Sequence, residues 1–229
     1  ETWLEEHLRL WNDADSTDEA RWRLARLREH QRRLIDALPL YEAIQPSSPR
    51  YEEAIARLGD LHVAQLAERQ SSGEPVRSSA AAEFFERIAL PGNAVPRSSW
   101  TAPQRAAALA AARIRIHYLG DDLDRVEPML TAAMDDPETS PAWRHEALPL
   151  LVLAMASRGK SATAAEKLDE LRDAPAETLL RVLEGLNVKD ASGDGSAREA
   201  ARSLRLKTAE LLAGRLGELE QTAVARANL

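Results

Sequence analysis

The sequence predicts an almost wholly α-helical protein, and three observations support this prediction. Hydrophobic residues make up 44% of the 229 residues, whereas aromatic residues make up only 4%. A core can therefore form, mainly from Leu, Ala, Ile and Val, and Ala has the highest helix propensity. Runs of Val, Ile, Thr and Tyr, which favour strands, are missing. The expected fold class is all-α, built from antiparallel helix pairs.

Charge and residue content exclude several classes of function. The formal net charge is −7, so bulk nucleic acid and anionic membranes should repel the chain, and no nucleic-acid partner is expected. There is no cysteine, which excludes disulfides, thiol catalysis and cysteine-bound zinc. No apolar run approaches the length of a membrane-spanning helix, so no membrane insertion is expected in this segment. The compartment stays open between the cytoplasm and the bacterial periplasm.

The basic residues and the first residue indicate where the chain comes from. Nearly all basic residues are Arg, and together with the abundant Ala this suggests a GC-rich bacterial genome. The chain begins with Glu1 and not with Met. We therefore expect a processed or excised piece of a larger bacterial protein.

Two helices are predicted before Pro39. The first spans about residues 2–12, where Trp and Leu recur at helical spacing. Ser16 and Glu19 then match a capping box, which should open one long helix. Pro39 should end or kink that helix, because proline lacks the backbone donor that a helix needs.

The next helices lead to a candidate linker. Ser48 and Pro49 mark the start of a helix to about residue 70, and a short helix carries Phe84 and Phe85. The segment 91–99 is rich in Pro, Gly and Ser, as linkers often are. We expect one all-helical domain over residues 1–229, with a possible subdivision near 91–100 into N-terminal helices (1–90) and a helical-repeat region (101–229).

The second half alternates regularly between helices and tight turns. Thr101 and Gln104 form a capping box, and Ser140 followed by Pro141 is a strong helix start. Helices are predicted at about residues 101–119, 123–135, 141–157, 161–172, 175–187 and 197–227.

A spacing of nearly 40 residues recurs in this half. Gly120 and Gly159 are 39 residues apart, and Pro137 and Pro175 are 38 residues apart. Each glycine lies in a predicted turn between two helices, and each proline follows the pair. A repeat of helix pairs at this spacing is typical of an α-solenoid, in which stacking buries the apolar faces.

Over about residues 101–176 the chain resembles the tetratricopeptide-repeat (TPR) family. The matching positions are Leu109, Ala112, Ile116, Gly120, Ala132 and Pro137 in one unit, and Leu148, Leu151, Met155, Gly159, Ala164, Leu168 and Pro175 in the next. The chain departs from the family where its mid-helix glycine is replaced by Arg113 and Val152. The resemblance implies a right-handed solenoid of stacked helix pairs, and an irregular helical array is the alternative.

In a TPR-like stack the first helix of each pair lines a concave groove. Arg113 and His117 are one turn apart on the predicted non-core side, and Trp143 begins the next unit. These three residues are the candidate groove contacts, and ordinary exposed positions are the alternative. The preferred hypothesis is a protein–protein interaction scaffold or regulatory module with a protein or peptide partner.

Two other hypotheses remain. The chain is alternatively a structural spacer or dimerisation segment, whose long C-terminal helix pairs with another copy in a homodimer. A small-molecule sensor or enzyme is the third hypothesis, but no catalytic motif supports it. We expect no enzymatic activity, no catalytic residue and no cofactor.

Two partial motifs are interpreted as turns and loops. Lys160 and Ser161 follow Gly159 as at the end of a P-loop, but Ala154 stands where the first glycine belongs. Asp190–Gly195 resembles half of a calcium-binding loop, but Ala201 replaces the bidentate carboxylate. The five histidines show no ligand spacing, and no metal site is predicted.

Two further groups of residues are given structural interpretations. The densest basic run is predicted as a solvated helix face, with docking to an acidic partner or a phosphate backbone as the alternative. The five tryptophans are predicted as packing anchors between helices. The basic run is Arg21, Arg23, Arg26, Arg28, Arg32 and Arg33, and the tryptophans are Trp3, Trp11, Trp22, Trp100 and Trp143.

Overall fold

The computed structural model describes residues 1–11, 16–73, 79–93, 99–189 and 195–227. Over these residues it contains eleven α-helices and no strand, which confirms the all-α prediction. The chain divides into two compact units, residues 1–114 (unit 1) and 115–229 (unit 2). That the whole chain forms one domain stays a prediction.

Unit 1 is built by successive packing of neighbouring helices. Its described helices are α1 (Thr2–Leu10), α2 (Thr17–His30), α3 (Leu34–Glu42), α4 (Tyr51–Ser71), α5 (Ala80–Ala89) and α6 (Ala102–Ile114), with a 3₁₀ turn at Pro91–Asn93. Helix α1 packs on α2, α2 on α3 and α3 on α4, and α6 packs on both α4 and α5. The linker candidate at 91–99 therefore lies inside unit 1.

The predicted long helix after Ser16 is wrong, because two helices replace it. Helix α2 ends at His30 and α3 begins at Leu34, and Arg32 between them has a left-handed φ of 59°. Pro39 lies inside α3 and does not end it. The carbonyl that Pro39 leaves without a helical donor belongs to Ile35, an exposed residue, so water can solvate it.

The predicted capping box at Ser16 is also wrong. Ser16 has helical backbone angles and makes no side-chain cap. Its hydroxyl instead contacts His7 Nε2 at 2.9 Å, and the Glu19 carboxylate accepts hydrogen bonds from Arg23 and Arg50. Partners elsewhere in the fold have replaced the local cap.

Unit 2 begins with a π-helical segment that continues directly from α6. Its described elements are this segment (Arg115–Leu119), α7 (Leu123–Asp135), α8 (Pro141–Ser157), α9 (Ser161–Asp169), α10 (Ala176–Lys189) and α11 (Gly195–Ala227). Helix α7 packs on α8, α8 on α9 and α10, and α11 on α9 and α10. Buried Met129, Leu130, Leu151, Leu168 and Leu179 contribute to its core.

Most helix boundaries of this half agree with the sequence prediction. Thr101 and Gln104 form the predicted capping box, with Thr101 N–H donating to Gln104 Oε1 at 2.8 Å. Ser140 Oγ caps α8 by accepting from Trp143 N–H at 3.2 Å. Gly120 and Gly159 adopt left-handed φ values of 70° and 75° in the predicted turns.

Two predictions for this half differ from the structure, and a third concerns residues that the structure does not describe. Helix α9 ends at Asp169, before the predicted residue 172. The helix predicted to run to residue 119 changes to π-helical geometry at Arg115. The calcium-like loop at 190–194 lies outside the described residues.

Candidate functional site

The three candidate groove residues lie in different units. Arg113, near the end of α6, belongs to unit 1, and its Nη1 lies 3.3 Å from Asp60 Oδ1 of α4. His117 and Trp143 belong to unit 2. His117 is exposed with its ring edge-on to Tyr118, and Trp143 is half-buried in the first turn of α8. The groove formed by these residues stays a prediction.

Arg115 is the largest fully buried side chain, and the sequence analysis did not single it out. It is 1% exposed at the start of the π-helical segment. Its Nη1 lies 2.8 Å from Asp121 Oδ1 and 3.3 Å from Asp122 Oδ2. A buried cation needs such anionic partners. Arg115 therefore holds the acidic turn after Gly120, which is a structural role.

The basic run of α2 is largely engaged with acidic groups of its own unit. Arg21 bonds Asp18 at 2.9 Å, Arg23 bonds Glu19 at 2.7 Å, and Arg33 pairs with Asp36 at 2.7 Å. Arg28 is buried and pairs with two carboxylates, that of Glu1 just before α1 and that of Glu5 within α1. The prediction of a solvated face is therefore wrong for Arg28.

The most exposed aromatic surface of the described residues lies on α1. Trp3, His7 and Trp11 recur every four residues, so they follow one side of the helix. The His7 ring stacks on Trp3 at a centroid distance of 5.4 Å and lies 5.2 Å from Trp11. Trp3 is 70% exposed and Trp11 is 54% exposed. We call these three residues the aromatic ladder.

The ladder overturns part of the tryptophan prediction. Trp100 is buried as expected, and Trp22 is half-buried with the Arg50 guanidinium 4.3 Å from its ring centroid. Trp3 and Trp11 are not packing anchors. Leu4, His7 and Leu8 are half-buried, whereas Trp3 and Trp11 are left largely exposed by the helices that pack on α1.

Ion pairs and a hydrogen bond hold α1 in place. Arg28 of α2 pairs with Glu1 and Glu5, and the Arg28 guanidinium holds the pKa of Glu1 below its ordinary value. The Thr17 hydroxyl donates to the Trp11 carbonyl oxygen at 2.7 Å. The helix is thus fixed on its inner side, and the ladder is presented on an ordered support.

Metal sites and phosphate-binding loops can be compared with the described residues one by one. In the part of the chain that the structure describes, no group of three or more His, Asp or Glu residues is placed to hold a metal ion. Lys160, at the position of a P-loop lysine, bonds Glu127 at 2.7 Å and follows a helix, not a strand. Within the described ranges, no helix is both long and apolar enough to cross a bilayer.

Comparisons with known proteins leave the site to be judged on its geometry alone. No family model matches the chain, and no curated protein or solved structure matches it either.

Proposed function

We propose that this chain is a protein-interaction module that docks a protein or peptide partner through the aromatic ladder. The observation that carries the proposal is the exposure of Trp3 and Trp11 on one side of α1. Tryptophan is enriched among the residues that dominate binding energy at interfaces, because its ring covers a large area and its N–H donates. Large apolar side chains exposed together in this way mark an interaction surface.

The ladder is also ordered before any partner binds. Because His7 stacks between the two indoles, the rings lose little rotational freedom when they are covered. Leu10 lies beside the ladder on α1 and is itself more than half exposed, which extends the apolar area. An ordered apolar surface binds more tightly than a mobile one of equal area.

We also propose that unit 2 stacks helix pairs as the TPR resemblance implies, as part of a scaffold. Two observations support this arrangement. The hairpins α8–α9 and α10–α11 pack side by side, with α8 against α10 and α9 against α11. The turn glycines Gly120 and Gly159 take the left-handed conformation that the repeated turns require. In this proposal His117 and Trp143 remain the candidate groove contacts of unit 2, and Arg113 remains a candidate contact of unit 1.

Site-specific photo-crosslinking tests which surface meets the partner. A photoreactive amino acid at Leu10 should capture a defined partner in cells, whereas the same group at Leu180 of α10 should not. Leu180 is a matched control, because it is an exposed leucine on a helix of unit 2. The captured partner is then purified, and its affinity for the whole chain is measured by isothermal titration calorimetry.

The expected result is a loss of affinity of at least about tenfold in Trp3→Ala and Trp11→Ala, because each indole contributes as an interface anchor. Leu180→Ala should bind as the wild type does. Binding that survives both tryptophan substitutions but is lost in Arg113→Glu would favour the groove and contradict the ladder. A partner captured only from position 180 would also contradict it.

A further inference from the structure

Helix α11 exposes an apolar face that nothing in the described part of unit 2 covers. Leu204 and Thr208 are buried on the side that packs on α9 and α10. On the other side, exposed residues follow one another at spacings of three and four, which places them along one face of the helix. They are Leu206, Ala209, Ala213, Leu216 and Glu220.

Two leucine–alanine pairs on or beside this face are arranged symmetrically about a centre between Leu212 and Ala213. Ala209 and Leu216 lie at equal distances on either side of that centre, and so do Leu212 and Ala213 themselves. When two copies of the helix run antiparallel about this centre, Leu216 meets Ala209 of the other copy and Leu212 meets Ala213, while Leu206 meets Leu219. Parallel copies would oppose leucine to leucine and alanine to alanine, which leaves gaps and clashes.

The charges on the same face select the same orientation. Arg205 and Glu220 are also equidistant from the centre, and both lie next to the apolar face. Antiparallel copies bring Arg205 of one chain to Glu220 of the other, twice in the dimer. Parallel copies would bring equal charges together at both positions, which is unfavourable.

We propose that α11 pairs antiparallel with α11 of a second copy of this chain, centred between Leu212 and Ala213. The contact spans the residues from 205 to 220, a length of roughly 22 Å at 1.5 Å per residue. A two-helix contact of this size is small among stable interfaces, so the dimer dissociates on dilution. The inference is independent of the aromatic ladder, which lies in unit 1.

Sedimentation velocity on the full chain tests the association. The wild type should shift from monomer to dimer as its concentration is raised. Arg205→Glu should weaken the dimer at least about tenfold, because two like-charge contacts replace two ion pairs. The double variant Arg205→Glu with Glu220→Arg should restore it, since the pairs are then reversed. A wild type that stays monomeric, or a double variant that is not restored, overturns the proposal.

Cysteine cross-linking tests the orientation, and the chain has no cysteine of its own. Ala213→Cys should form a disulfide-linked dimer on mild oxidation, because the two copies meet at the centre. Glu220→Cys should not, because antiparallel copies hold the two positions roughly 22 Å apart. Ala56→Cys, at an exposed alanine of α4, gives the background level of disulfide cross-linking. Cross-linking through position 220, or at position 213 only to the background level, contradicts antiparallel pairing.

Discussion

Both units bring two helices together at a glycine, but the groups that face the glycines differ. In unit 1, a Cβ added to Gly59 of α4 would lie 2.7 Å from Cβ of Ala110 of α6. In unit 2, a Cβ added to Gly185 of α10 would meet the methyl groups of Leu153 of α8 at 2.8 and 2.9 Å. The backbone fixes a Cβ, whereas methyl groups move when a side chain rotates. The crossing of α4 and α6 in unit 1 is therefore rigid. The crossing of α8 and α10 in unit 2 is adaptable, because the Leu153 side chain can rotate.

The carboxylates that tie the helices together show a parallel difference. In unit 1, Glu29 of α2 accepts from Arg57 of α4 and from Tyr41 of α3, whose side chain is fully buried. In unit 2, Glu127 of α7 accepts from Lys160 and Arg158, which are partly exposed. The two carboxylates are similarly buried, and Arg57 is at least as exposed as Arg158, so the difference lies in the fully buried tyrosine that also donates to Glu29. Substitutions at matched positions should cost more in unit 1.

The largest effect is expected for Glu29→Gln. One of the two carboxylate oxygens becomes an amide NH2, which cannot accept a hydrogen bond, and the ion pair with Arg57 is lost, which should together cost about 2 kcal/mol of unfolding free energy. The measurement is urea denaturation, with hydrogen exchange to localise the loss to α2–α4. Glu52→Gln, at an exposed position of α4, is the matched control. An equal loss in both variants would contradict the comparison.

The same variant should change the dependence of stability on pH. Burial raises the pKa of Glu29, but hydrogen bonds from Arg57 and Tyr41 outweigh burial and lower it below the ordinary 4.5. A lowered folded-state pKa means that the stabilisation is complete above the ordinary value and is lost as the pH falls through the lowered one. Wild-type stability should thus fall more steeply below pH 4.5 than that of Glu29→Gln.

Gly59→Ala should be the next most damaging change. Overpacking costs about 1–3 kcal/mol, which exceeds the gain of about 1 kcal/mol from replacing a helical glycine. We expect a net loss of about 1 kcal/mol in urea denaturation. Adding Ala110→Gly should remove the clash, so the double variant should lose less than the sum of the two single variants. Simple additivity would show that the crossing is not rigid.

Glu127→Gln should cost less than about 1 kcal/mol, because ion pairs with exposed partners are weak. Burial raises the pKa of Glu127, but hydrogen bonding by Lys160 and the charges of Lys160 and Arg158 lower it overall. Its small contribution should therefore also be lost in acid. Added salt should shrink the difference between variant and wild type. A loss as large as that of Glu29→Gln, unaffected by salt, would remove the distinction between the units.

Gly185→Ala should be nearly neutral, within about 0.5 kcal/mol, because the gain in helix propensity offsets the cost of rotating Leu153. The control is Gly214→Ala on α11, where no atom lies within 4 Å of an added Cβ. That variant should be stabilised by the full propensity gain of about 1 kcal/mol. If Gly185→Ala costs as much as Gly59→Ala, the adaptable crossing is refuted.

Capping patterns in the sequence predicted helix starts only where no side chain from another part of the chain bonded to the capping residues. Thr101 and Gln104 form their capping box as predicted. Ser16 and Glu19 match the same pattern, yet His7, Arg23 and Arg50 take their polar groups. The residue pattern does not distinguish the two cases, because two of the competing partners, His7 and Arg50, lie outside α2. The left-handed Arg32 likewise has no local signal, since most residues disfavour that conformation.

The candidate site was harder to predict than the fold. Trp3 and Trp11 recur at the spacing of a buried stripe, and tryptophan at such positions usually packs in a core. The pattern of α1 does not separate its exposed tryptophans from its half-buried leucines, because all of them lie within one arc of roughly 160° at 100° per residue. For Arg115 the signal was the acidic pair Asp121 and Asp122 six and seven residues later.

The exposed indoles of the aromatic ladder also supply an intrinsic fluorescence reporter. Water around Trp3 and Trp11 shifts their emission to long wavelength, whereas the buried Trp100 emits at shorter wavelength. A molecule that covers α1 should therefore move the emission of the whole protein towards the blue, so its binding can be followed without any attached dye.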